Sequence, residues 1–173
     1  MAECTGGIYR DGMNGFHGSA WHATAAEHAP GSPADLPAYL DHAMAHSTAE
    51  GGRFNPPGEF GAIYLALDER TAREESDAPE VLLELDVLLS RVCDLTRADE
   101  RERCGLTPDQ LCGDHHGPCQ RAGRALRDAG YEGIRYPSAA GDGVNLAVFR
   151  DRLREGASLR LAGTGTVRGG TGS

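Results

Sequence analysis

The chain has 173 residues, a formal net charge of −9, and 39% hydrophobic against 25% charged residues. That length supports one domain with a substantial core, and the ordinary balance of apolar and charged residues excludes global disorder. The acidic excess argues against a surface that neutralises nucleic-acid phosphates, although one or two arginines in a cleft can still set a local field for a small anion.

No run reaches the apolar length of a membrane span, and the opening MAECTGGIYRDG lacks a hydrophobic signal core, so a soluble cytoplasmic protein is expected. Five cysteines without a regular framework fit reduced thiols better than a disulfide scaffold. Residues 1–18 are glycine-rich and weakly patterned and read as a loose lead-in to a domain over 19–160. SAWHATA (19–25) reads as a short strand, with His22 pointing away from Trp21. After the break PGSP, Leu36, Leu40, Ala43 and Met44 recur at helical spacing through 33–50, and Gly51 and Gly52 supply a stop. The stiff loop GGRFNPPGEF then leads into AIYLAL (62–67), a buried strand.

DERTAREES (68–76) has the charges of an exposed helix, with Asp68 as its N-cap. PEVLLELDVLLSRVCDL (79–95) alternates as one half-buried strand, and 96–118 is polar and broken, with a helical turn at each end. CQRAGRALRDAGYEG (119–133) is a helix ending at Gly130, with Ala122, Ala125, Leu126 and Ala129 on one face. GIRYPS (133–138) and GVNLAVF (143–149) are strands joined by a glycine-containing turn, and 161–173 has the composition of a flexible tail. The order predicts an α+β fold: a compact, twisted pair of small mixed sheets with peripheral helices.

Several polar residues stand out against this background. Arg53 sits in a loop stiffened by Pro56 and Pro57, where its guanidinium offers a planar fork to a phosphate or a carboxylate. Tyr64 lies mid-strand, Glu75 on or just after the exposed helix, Ser138 at a strand-turn junction and His22 in the first strand. Taken singly, each also has a plain structural reading: a loop tie for Arg53, a core aromatic for Tyr64, a solvated charge for Glu75, a turn cap for Ser138 and a satisfied histidine for His22.

Together, GGRFNPPGEFGAIYLALD, the following Glu75 and DHHGPCQRAGRALRDAGYEGIRYPSAAGDGVNLAVF resemble the RES domain, named for an arginine, a glutamate and a serine. The resemblance runs from about residue 19 to 150. It implies a toxin of a bacterial toxin-antitoxin pair that consumes NAD, on a fold similar to ADP-ribosyltransferase toxins. It also implies a catalytic set of Arg53, Tyr64, Glu75 and Ser138, with His22 and Asn55 joining Arg53, Tyr64 and Ser138 as substrate contacts. Many members carry an arginine in the first strand where this chain has His22, and a histidine on the corresponding strand of ADP-ribosyltransferases contacts NAD.

NAD enters this picture as substrate, inorganic phosphate as a co-substrate, and no separate cofactor is expected. The implied chemistry is hydrolysis or phosphorolysis of the nicotinamide-ribose bond, with Glu75 stabilising an oxocarbenium-like transition state. Alternatives are transfer of ADP-ribose to a protein, or a non-catalytic interaction module of the same fold. A helix-turn-helix antitoxin of the Xre type is the partner the family implies. Cys104, Cys112, His115, His116 and Cys119 could supply zinc ligands, but their spacing matches no common paired-ligand pattern, so loop residues and buried thiols are expected and no metal.

Overall fold

The structure, a computed structural model, describes residues 15–77 and 79–167. In chain order the elements are β1 (Phe16–Thr24), α1 (Leu36–Glu50), β2 (Ile63–Ala66), α2 (Glu69–Glu74), β3 (Val81–Leu89), β4 (Val92–Asp94), α3 (Ala98–Arg103), α4 (Pro108–Cys112), α5 (Gly117–Asp128), β5 (Gly133–Pro137), β6 (Val144–Val148) and β7 (Ser158–Thr166). The predicted stops and caps form. Gly51 ends α1 at φ 73° and its N–H bonds the Ser47 carbonyl, while Asp68 caps α2 by accepting from the Thr71 N–H.

The fold is mixed α and β, as expected, but its strands join in one sheet rather than two. Their order is β4-β5-β6-β2-β1-β3-β7, antiparallel except for the β4–β5 pair. β1 and β3 pair along their full length, whereas β1 meets β2 at a single register position, Trp21 opposite Ala66. The sheet therefore has a narrow waist between a three-stranded and a four-stranded half. One cause is visible in the side chains: His22 Nδ1 bonds the Tyr64 carbonyl at 2.9 Å, so an imidazole from β1 takes an acceptor that a backbone ladder would otherwise use.

Both faces of the sheet are covered, and the alternation of each strand decides which side chain goes where. Phe54, Phe60, Leu95, Leu111, Leu126, Ile134 and Phe149 form one core with α4 and α5. Ile63, Leu65, Leu85, Val87, Leu146 and Val148 form the other, with Leu36 and Leu40 of α1.

Three predicted boundaries are corrected. β1 begins at Phe16, inside the expected lead-in, because β3 supplies a partner for each of its residues. β7 occupies 158–166, where a flexible tail was expected from residue 161; its backbone pairs along β3 despite the glycines, with Leu159 and Leu161 packed on the α1 side of the core. The remainder of the expected lead-in (1–14) and of the tail (168–173) lies outside the described residues. The long strand expected over 79–95 breaks at Ser90–Arg91 into β3 and β4.

A buried carboxylate holds that break. Glu132, 0% exposed, accepts from the Ser90 N–H and hydroxyl and the Arg91 N–H through Oε1, and from the Arg154 N–H through Oε2. Burial pushes its pKa up, but these hydrogen bonds outweigh burial and hold it below the usual carboxylate range. A depressed folded-state pKa stabilises the fold above the unfolded value and ceases to do so as pH falls. The melting temperature is therefore expected to decline below about pH 4.5, and Glu132→Gln to be less stable at neutral pH with a shallower acid decline. An unchanged acid slope in that variant would remove Glu132 from the account.

Candidate active site

The loop bearing Arg53 is pinned from several sides. Asn55, 0% exposed, is its hub: its amide nitrogen donates to the Ser47 and Phe60 carbonyls at 2.9 Å each, and its Oδ1 accepts from the Tyr64 hydroxyl at 2.6 Å. The same hydroxyl accepts from the Phe54 N–H at 2.9 Å, and Gln120 of α5 donates to the Gly52 carbonyl at 2.9 Å. Gly123 lets α5 come so close that a Cβ there would lie 1.9 Å from the Phe54 carbonyl oxygen. Gly51, at φ 73°, has its turn pressed against Pro57, so a side chain is excluded twice over. Arg53 itself donates from Nη1 to the Gly113 carbonyl at 2.9 Å, and among the described residues no carboxylate pairs with it.

Glu75 follows the last turn of α2 and is exposed, but its carboxylate is held. Oε1 accepts from the Ser138 hydroxyl at 2.5 Å and from the Asn145 amide at 2.7 Å, and both described hydrogen bonds fall on that one oxygen. Since a carboxylate can only accept, Asn145 must present its nitrogen. The Asn145 oxygen is buried with no hydrogen bond among the described residues, a cost characteristic of a site arranged for a task other than stability. Gly143 permits this assembly, because a Cβ there would sit 1.8 Å from the Thr71 hydroxyl. The β5–β6 turn thus docks tightly on α2.

Arg53, Tyr64 and Glu75 line one cavity of about 350 Å³, together with Trp21, His22, Tyr136 and Asn145 at the sheet waist. Trp21 and His22 both reach it, despite the alternation expected of a strand, because β1 borders the cavity where it parts from β2. Burial lowers the pKa of His22 more than its hydrogen bond to the Tyr64 carbonyl raises it. The ring is therefore neutral, Nδ1 carries the proton, and Nε2 is an acceptor. Burial raises Tyr64 and Tyr136 far above the usual phenol range, so both remain protonated donors. His116, the residue before α5, is lowered by burial and then by Arg53.

Two expected substrate contacts lie behind the cavity lining. Asn55 does not line the cavity: its amide capacity is consumed inside the loop, where it fixes the backbone carrying Arg53. Ser138 is 4% exposed and also outside the lining; it donates to Glu75 and accepts from the Ala140 N–H, so its hydroxyl is directed at the carboxylate. Asn145, Tyr136, Trp21 and His116 were not anticipated. For Asn145 and Tyr136 the available signal was a polar group inside an otherwise apolar buried strand.

In the stretch 104–119, the Cys119 thiol donates to the Gln110 carbonyl at 3.4 Å, Cys104 packs beside the first core, and Cys112 is exposed. Among the described residues no group of three or more His, Cys, Asp or Glu side chains is placed to hold a metal ion, and no helix is long and apolar enough to cross a membrane.

The chain is similar to known proteins. The RES domain family model matches residues 19–166. The NAD(+) phosphorylase MbcT of Mycobacterium tuberculosis and that of Mycobacterium bovis are each 36% identical over 121 residues, covering 61% of this chain. The match spans 65% of the length of those relatives. A solved structure, the M. tuberculosis MbcT-MbcA toxin-antitoxin complex, contains a similar chain at 28% identity and a TM-score of 0.63, covering 88% of this chain and 85% of that one.

Proposed function

The chain belongs to the RES domain family, and from that premise we propose that it is an NAD-consuming enzyme that breaks the nicotinamide-ribose bond. The observation that carries this reading is the Glu75 carboxylate, tethered through one oxygen by Ser138 and Asn145, in the same cavity as an arginine that no carboxylate among the described residues pairs with. The name of the relatives, NAD(+) phosphorylase, supports phosphate as the acceptor.

In this mechanism Arg53 holds the pyrophosphate of NAD by its remaining N–H donors. The C1–N bond of the nicotinamide riboside breaks with both electrons passing to the ring nitrogen, and neutral nicotinamide leaves. Positive charge grows on the ribose carbon and ring oxygen, where the fixed negative charge of Glu75 lowers the barrier. A phosphate oxygen then bonds to the carbon, giving ADP-ribose 1''-phosphate; water in its place gives ADP-ribose and releases a proton. Nicotinamide leaves as a neutral base, so no strong general acid is required, consistent with phenols too basic to ionise.

The resemblance to a chain from a toxin-antitoxin complex supports a toxin role and a dedicated antitoxin as partner; that this antitoxin is of the helix-turn-helix type is our reading from the RES resemblance. Incubation of the purified chain with NAD tests the reading. Nicotinamide and ADP-ribose 1''-phosphate are expected with inorganic phosphate present, and slower formation of ADP-ribose without it. NAD left intact under both conditions would sink the reading.

A further inference from the structure

The waist of the sheet holds a tryptophan to which the mechanism above gives no role. Trp21 is the single tryptophan of the chain. It is half-buried on β1 at the β1–β2 register pair, and it packs against the cluster of Ala66, Ala72 and Leu82. It also lines the cavity, with Ala23, Leu65, Ala66 and Ala72 among the apolar residues of the same lining. The indole is thus part packed and part at the cavity wall.

Its position relative to the carboxylate follows from helix geometry. Ala72 and Glu75 are three residues apart, and side chains at that spacing lie on one helical face. The indole packed on Ala72 therefore shares an end of the cavity with Glu75. Arg53 belongs to a different wall, against Gly113 and near His116 at the start of α5.

We propose that Trp21 is the stacking surface for the oxidised nicotinamide ring and gives the cavity its preference for the cationic dinucleotide. The inference rests on the NAD reading and adds a specificity residue to it. With the pyrophosphate at Arg53 and the reacting ribose carbon at Glu75, the ring attached to that carbon extends towards the indole. Oxidised nicotinamide is flat and positively charged, and indole is the best side chain for attracting a cation over its face. Cleavage turns the ring into a neutral molecule, which removes that attraction and frees the product to leave. The dihydronicotinamide of the reduced dinucleotide is neutral and puckered, so it gains little from the same surface.

Because the chain has one tryptophan, its emission reports this contact directly. In the full chain carrying Glu75→Gln, which slows turnover, NAD is expected to quench Trp21 emission. ADP-ribose, identical except for the missing ring, is expected to bind by calorimetry without that quench. Trp21→Ala is expected to weaken NAD binding about tenfold and leave ADP-ribose binding unchanged, and Trp21→Phe to recover part of the loss. Bound NAD that leaves the emission unaltered, or ADP-ribose that quenches as strongly, overturns the assignment. Equal weakening of both ligands by Trp21→Ala overturns it too, since a merely structural role would act on both. If wild type consumes NAD while these differences are missing, only the assignment fails; if NAD neither binds nor is consumed, the enzymatic reading fails with it.

Discussion

Glu75→Gln is expected to lower the rate of NAD loss by about 10²–10³-fold while leaving the melting temperature within a degree or two of wild type. Glutamine keeps the shape of the side chain, and its carbonyl can still accept from Ser138 and Asn145. What it removes is the negative charge facing the ribose as positive charge develops. The side chain is exposed rather than part of either core, so folding has little stake in it. Ser138→Ala provides a graded comparison: the charge survives but loses one tether, and a loss nearer tenfold is expected from misorientation. A Ser138→Ala loss equal to that of Glu75→Gln would mean that the hydroxyl touches substrate directly. A Glu75→Gln enzyme at wild-type rate would take the carboxylate out of the mechanism.

Gly123→Ala is expected to destabilise the protein by about 2–3 kcal/mol and to raise KM for NAD. In an ordinary helix the change would stabilise by up to about 1 kcal/mol, since alanine is the better helix former. Here the new methyl would fall 1.9 Å from the Phe54 carbonyl oxygen and 2.8 Å from its carbon. That contact is with backbone, so no rotamer change relieves it, and either α5 or the Arg53 loop must move. Phe54 adjoins Arg53, and its N–H is bonded to the Tyr64 hydroxyl, so the displacement reaches the cavity. Urea unfolding and steady-state kinetics on one preparation check both effects. A more stable variant with unchanged KM would show that α5 and the loop are not in this contact.

Local chemistry made much of the fold legible. Gly51, Asp68 and the alanine-leucine face of α5 act within one or two helical turns, and they mark element ends where the structure has them. β7 was hidden because its order comes from pairing with β3, distant in sequence, while its own Gly-Thr-Gly-Thr composition reads as a chain end. The joining of the halves at one waist was hidden for a similar reason: it depends on which partner the Tyr64 carbonyl finds.

The site divides along the same line. Arg53, Tyr64 and Glu75 were named from sequence and meet in one cavity, with His22 at its wall. Asn55 and Ser138 lie one layer behind the cavity lining, a depth that residue type and motif do not reveal. Trp21 carries no local mark of what it faces, and Asn145 stands out in its strand only as a polar residue among apolar ones.

The most direct measurement is the identity of the bond broken. NAD is incubated with the wild-type chain and with Glu75→Gln, and the products are resolved by mass spectrometry. The wild type is expected to release one nicotinamide for each NAD lost, with the ADP-ribosyl product intact, and the variant about 10²–10³-fold less in the same time. Cleavage into AMP and nicotinamide mononucleotide, or nicotinamide release that is the same in both proteins, would contradict it.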